Sequence, residues 1–84
     1  MVLIKVDGTT KDVKAQTLAE MQEAVGGYIE IIAISKTSYM ILNEEGKLKG
    51  LPVNVLATRL TRGVLGDDDV VVGDVLLAKK DEIN

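Results

Sequence analysis

An α+β fold, built as a small and mainly antiparallel sheet with two short helices in the order β-β-α-β-β-α-β, is what these 84 residues predict. Three observations carry that expectation. Short β-branched and apolar runs recur at residues 2–6, 28–35, 39–43 and 70–78, each bounded by turn residues. Two stretches show helical spacing behind capping residues, Thr17 and Asn54, and are closed by Gly26-Gly27 and Gly63. The link Lys36-Thr37-Ser38 is too short for a parallel crossover, so the strands on either side of it must run antiparallel.

VLIKV at residues 2–6 is followed by Asp7-Gly8, a strong turn signal, and TTKDVKA then reads as a polar strand that returns along the first. Thr17-Leu18-Ala19-Glu20 has the form of a capping box, in which the threonine hydroxyl accepts from the backbone three residues on and the glutamate reaches back. Leu18, Met21 and Val25 then share one helical face. YIEIIAIS at residues 28–35 is apolar on both parities except for Glu30, which predicts a central strand. YMILN at residues 39–43 is its antiparallel partner, and Asn43-Glu44-Glu45-Gly46 forms a turn.

After Pro52, Asn54 opens the second helix, with Val53, Leu56, Ala57 and Leu60 at the spacing of an inward face, and both helices are expected on one face of the sheet. Gly73-Asp74 divides the last apolar run, either as a hairpin turn or as a bend in one longer strand, and the bend is the preferred reading.

Composition narrows the function. A chain of this length forms one domain, residues 1–84, with a thin core. Its 46% hydrophobic content includes only two aromatic residues, Tyr28 and Tyr39. Stability is therefore expected to be modest or shared with a second copy, which makes a homo-oligomer the expected state. The absence of histidine and cysteine removes imidazole bases, thiolate metal sites and disulfides, and no catalytic residue or cofactor is expected. A net charge of −3 argues against non-specific binding to duplex nucleic acid. No apolar run is long enough for a membrane span, and Lys5 and Asp7 interrupt the start where a secretory leader needs continuous apolar sequence. A cytoplasmic protein is the expectation.

The segment NEEGKLKGLPVN, residues 43–54, concentrates the polar chemistry. Unpaired N–H groups at the start of a helix attract anions, Lys47 and Lys49 lie on the approach, Gly50 permits close backbone contact, and Arg59 and Arg62 share a helical face. Together with Tyr28, on whose ring a base can stack, the residues Asn43, Lys47, Gly50, Asn54, Thr58, Arg59 and Arg62 form a candidate ligand-binding set for an anionic or nucleotide-type small molecule. The plain alternative is a solvated turn whose Gly, Pro and Asn serve geometry alone. Asp67, Asp68, Asp69 and Asp74 supply oxygen ligands but lack the spacing of a calcium loop, so a polar turn explains them better than a metal-dependent hydrolase.

VGGYIE at residues 25–30, NEEGKLKGLPVN, Ala57-Thr58 and VVVGDV at residues 70–75 together resemble a small family of bacteriophage and mobile-element proteins of unknown function. The resemblance spans about residues 17–77. It implies a phage or prophage setting, and it transfers no activity. In that setting the expected function is a homo-oligomeric sponge for a nucleotide-derived host immune signal. The alternative is a module that inhibits or modulates a host factor through an acidic surface or an exposed strand edge.

Overall fold

A computed structural model describes residues 1–66 and 69–83. Five strands and two helices follow the expected order: β1 (Val2–Ile4), β2 (Thr10–Asp12), α1 (Leu18–Val25), β3 (Ile29–Ala33), β4 (Ser38–Asn43), α2 (Val55–Leu60) and β5 (Val75–Lys79), before a short 3-10 turn at Lys80–Glu82. The sheet is antiparallel throughout, in the order β2-β1-β5-β4-β3. β5 therefore enters between the two hairpins. Its residues Val75, Leu76 and Ala78 are buried for that reason.

Strand alternation sorts the core into two layers. Ile4, Met40, Val71 and Val75 pack with Ala57 of α2, whereas Ile41, Leu76 and Ala78 pack with Val25 of α1. Met40 and Ile41 are neighbours in one strand and point to opposite sides, so the helices cover opposite faces of the sheet, not one face as the sequence suggested. The sequence shows which strand residues are apolar on both parities, and that pattern needs a cover on each side.

The capping box of α1 forms as expected: Thr17 Oγ1 accepts from Glu20 N at 3.1 Å, and Glu20 Oε1 accepts from Thr17 N at 3.1 Å. Its inward residues are Met21, Ala24 and Val25, while Leu18 remains 56% exposed. In α2 the inward row starts one residue later than expected. Asn54, Ala57 and Thr61 are buried, and Val53 and Leu60 are exposed. The carbonyls and hydroxyls of that row bond one another, with Thr61 Oγ1 donating to Thr58 O at 3.0 Å and Thr58 Oγ1 to Asn54 O at 2.8 Å. A helix can thus bury polar residues when each finds a hydrogen-bond partner.

β3 is the other correction, since it lies at the sheet edge and not in the centre. Glu30, Ile31 and Ala33 are exposed along it. The last apolar run does not continue as one bent strand: the chain turns at Gly73, whose φ of 78° lies in the left-handed region, Val72 before it makes one isolated bridge to Val53, and β5 begins only at Val75.

Candidate functional site

The segment after β4 crosses the sheet end as a strap with a buried asparagine at each end. Asn43 is 4% exposed; its Nδ2 donates to Val25 O at 3.1 Å, and its Oδ1 accepts from Glu45 N at 2.8 Å. It thereby ties the end of α1 to the turn that starts the strap. Gly27 leaves room for this contact, because a Cβ there would stand 3.0 Å from Asn43 Nδ2 and 2.9 Å from Lys49 Nζ. At the far end Asn54 is fully buried. Its Oδ1 accepts from Ala57 N at 3.1 Å, and its Nδ2 donates to Ile4 O at 3.0 Å and Gly73 O at 2.9 Å. One side chain caps α2 and pins it to β1 and to the bend before β5.

Between those anchors Gly46 is buried, residues 47–50 are exposed, and the strap forms one wall of a cleft of ≈ 280 Å³. The floor comes from the α2-facing side of β3 and β4, where Glu30 and Leu42 stand opposite each other and Ile32 follows. The far wall is Leu65, Val70 and Val72, and Leu48 stands at the lip, 87% exposed. Lys47 crosses the opening to pair with Asp69. That ammonium, donating to the Asp69 carboxylate, holds it below its ordinary pKa. Glu30 and Glu44 also line the cleft and have no ion-pair partner among the described residues. The cleft thus joins an apolar lining to carboxylates, Glu30 rising from the floor beside Leu42 and Glu44 standing on the strap.

The residues expected to form one ligand site are separated. Asn43 and Lys47 border the cleft. Tyr28, 64% exposed, lines a different hollow with Gln22, Gly27, Glu45 and Lys49. Asn54 and Thr58 are committed to bonds within the fold, Thr58 Oγ1 also accepting from Val71 N at 2.9 Å. Gly50, with a φ of 67°, lies exposed on the strap. Arg59 and Arg62 are exposed on and just after α2, and neither borders the cleft or the Tyr28 hollow. Residues that spacing alone missed are Glu30, Ile32, Leu42, Glu44, Leu48, Leu65, Asp69, Val70 and Val72. Leu48, one apolar residue between two lysines, was the available signal.

Of the aspartates, Asp67 and Asp68 lie outside the described residues. Asp69 pairs with Lys47, and Asp74 Oδ1 accepts from Val6 N at 2.9 Å, away from the cleft. Among the described residues no cluster of three or more His, Cys, Asp or Glu could hold a metal ion. No described helix is long and apolar enough to cross a membrane.

Compared with known families, residues 1–84 match the model of DUF3846, a domain of unknown function. No curated protein and no solved structure matches the chain.

Proposed function

The chain belongs to the DUF3846 family, and we propose that it acts by recognition and not by catalysis, as a protein-interaction module. The cleft receives apolar side chains of a partner polypeptide, and a basic residue of that partner faces Glu30 and Glu44. The observation that carries this reading is the combination of an apolar lining, an almost fully exposed Leu48 at the lip, and two carboxylates, Glu30 in the floor and Glu44 on the strap, without an ion-pair partner among the described residues. Charge favours it over a phosphate ligand. Glu30, Glu44 and Asp69 outnumber Lys47 around the cleft and would repel an anion. In the phage or mobile-element setting that the sequence resemblance implies, such a partner is a host factor.

Fluorescence polarisation with two short extended peptides tests the reading, one alternating Leu with Lys and the other Leu with Glu. The lysine peptide should bind and the glutamate peptide should not, with the preference reversed in a Glu30→Lys, Glu44→Lys double variant. Equal binding of the two, or of neither, overturns the proposal.

A second reading keeps a nucleotide-type ligand, and one observation favours it. The exposed Tyr28 ring shares a hollow with Lys49, which pairs a stacking surface with a cation. Thermal-shift screening against a nucleotide panel should then give stabilisation that Tyr28→Ala abolishes. A panel without any shift removes this reading.

A further inference from the structure

The edge of the sheet at β3 carries outward backbone groups on alternate residues. Tyr28 O accepts from Glu44 N at 2.8 Å, and Ile34 N donates to Ser38 O at 3.0 Å. In an antiparallel ladder the residues that bond to one neighbour alternate with those that bond to the other side. Residues 28, 30, 32 and 34 therefore face β4, and Ile29, Ile31 and Ala33 direct their N–H and C=O groups outward. Among the described residues no strand covers that side. The outward set is symmetric about Ile31.

We infer that a second copy of this chain pairs with β3 across a two-fold axis at Ile31, joining two five-stranded sheets into one of ten strands. Ile31 stands opposite Ile31 of the second copy, Ile29 opposite Ala33, and Glu30 opposite Ile32. This register covers Ile31, which is 43% exposed in the isolated chain, and sets a bulky residue against a small one on each side of it. It also keeps the two Glu30 carboxylates from standing directly opposite each other. Tyr28, 64% exposed, comes opposite Ile34 of the second copy, where its ring covers apolar surface. The Ser35–Thr37 loop of each copy then runs toward the end of α1 in the other. The last turn of α1 holds Glu23 and no basic residue, so Lys36 arriving from the second copy meets both a carboxylate and the negative end of the helix.

Assembly stops at two. Val13 N donates to Met1 O and Lys5 N to Thr9 O, so Lys11 bonds to β1 and only Thr10 and Asp12 face outward along the three-residue β2, all of it exposed and polar. The two-fold axis is perpendicular to the sheet, which leaves both α2 faces on the same side. The clefts then adjoin, with Ile32 of the second copy beside Glu30 of the first. This pairing rests on the β3 backbone and goes beyond the chemistry assigned to the cleft, so either can fail without the other.

Sedimentation of the full chain, checked against single-cysteine variants, tests it. The chain has no cysteine of its own. The mass should rise with concentration to twice 9.0 kDa and no further, and Ile31→Lys, folded by circular dichroism, should remain monomeric at the same concentrations. With oxidised glutathione, Ile31→Cys should form a disulfide-linked dimer, because directly opposed residues of this type have Cα atoms about 5.5 Å apart. Ala33→Cys should not, since the register offsets it from its counterpart by about 14 Å. A monomer mass at every concentration, an undisturbed dimer in Ile31→Lys, or cross-linking of Ala33→Cys as efficient as that of Ile31→Cys would each overturn the pairing.

Discussion

The two ends of the sheet differ in what they leave unsatisfied. At the β2 end the strand is three residues long, polar and exposed, and its neighbour β1 is locked to α2 and Gly73 through Asn54. At the β3 end a five-residue strand keeps three residues with outward backbone groups, an exposed Ile31, and a cleft with apolar walls beside it. Both ends belong to one antiparallel sheet, so strand geometry is not the cause. The difference comes from length and side-chain chemistry. A short charged edge offers an incoming strand little apolar area, whereas β3 offers both apolar area and a row of unmet hydrogen bonds. The proposed recognition uses the chemistry of the β3 end, and the β2 end is closed by its own side chains.

Substitutions in the closed end should cost the most stability. Asn54→Ala leaves Ile4 O, Gly73 O and Ala57 N without their partner inside the core, and urea unfolding should report a loss of about 3 kcal/mol. A loss near that of an exposed cap, about 1 kcal/mol, would mean that Asn54 does not hold the β1 end together. Asn43→Ala removes one buried and one part-buried bond at the open end, and the same measurement should give about 2 kcal/mol.

The open end should respond in association and hardly in folding. Ile31→Lys is expected to change unfolding free energy by no more than about 0.5 kcal/mol while removing concentration-dependent mass. Leu48→Ala should be equally silent in unfolding, because the side chain is 87% exposed, yet weaken the lysine peptide about tenfold by removing apolar area from the lip. The smallest effect concerns Asp69. Its pKa lies below the ordinary carboxylate value because Lys47 donates to it, so the pair's contribution is complete above that ordinary value and is lost as pH falls through the lowered one. A carboxyl-carbon NMR titration should show the lowered midpoint, and Lys47→Ala should return it toward the usual value.

Local signals in the sequence were the reliable ones. The capping box at Thr17 and Glu20, the glycine stop at Gly26 and the short link before β4 each depend on residues within one turn, and each formed as read. What the sequence left open was which apolar positions receive a cover. YIEIIAIS reads as a central strand because both parities are apolar, but among the described residues no further strand lies beyond it, and Glu30 was the one residue marking an edge. The same limit applied to the helices. Patterning identified two amphipathic segments without saying that β5 would insert between the hairpins and require a helix on each face. For the candidate site, the sequence placed Asn43 and Asn54 in a ligand-binding set, and in the structure their amides fasten the strap. Hydrogen-bond partners distant in sequence, Val25, Ile4 and Gly73, decided that outcome, and no spacing rule reaches them.

Residue-resolved hydrogen exchange, followed as a function of protein concentration, measures the contrast between the two ends most directly. In dilute protein the amides of Ile29, Ile31 and Ala33 should exchange rapidly while those of Glu30 and Ile32, bonded to β4, exchange slowly. Raising the concentration should slow the first set at least about tenfold and leave Thr10 and Asp12 unchanged. Slow exchange at Ile29, Ile31 and Ala33 in dilute protein, or concentration-dependent protection at Thr10 and Asp12 instead, would contradict an open β3 edge and a closed β2 edge.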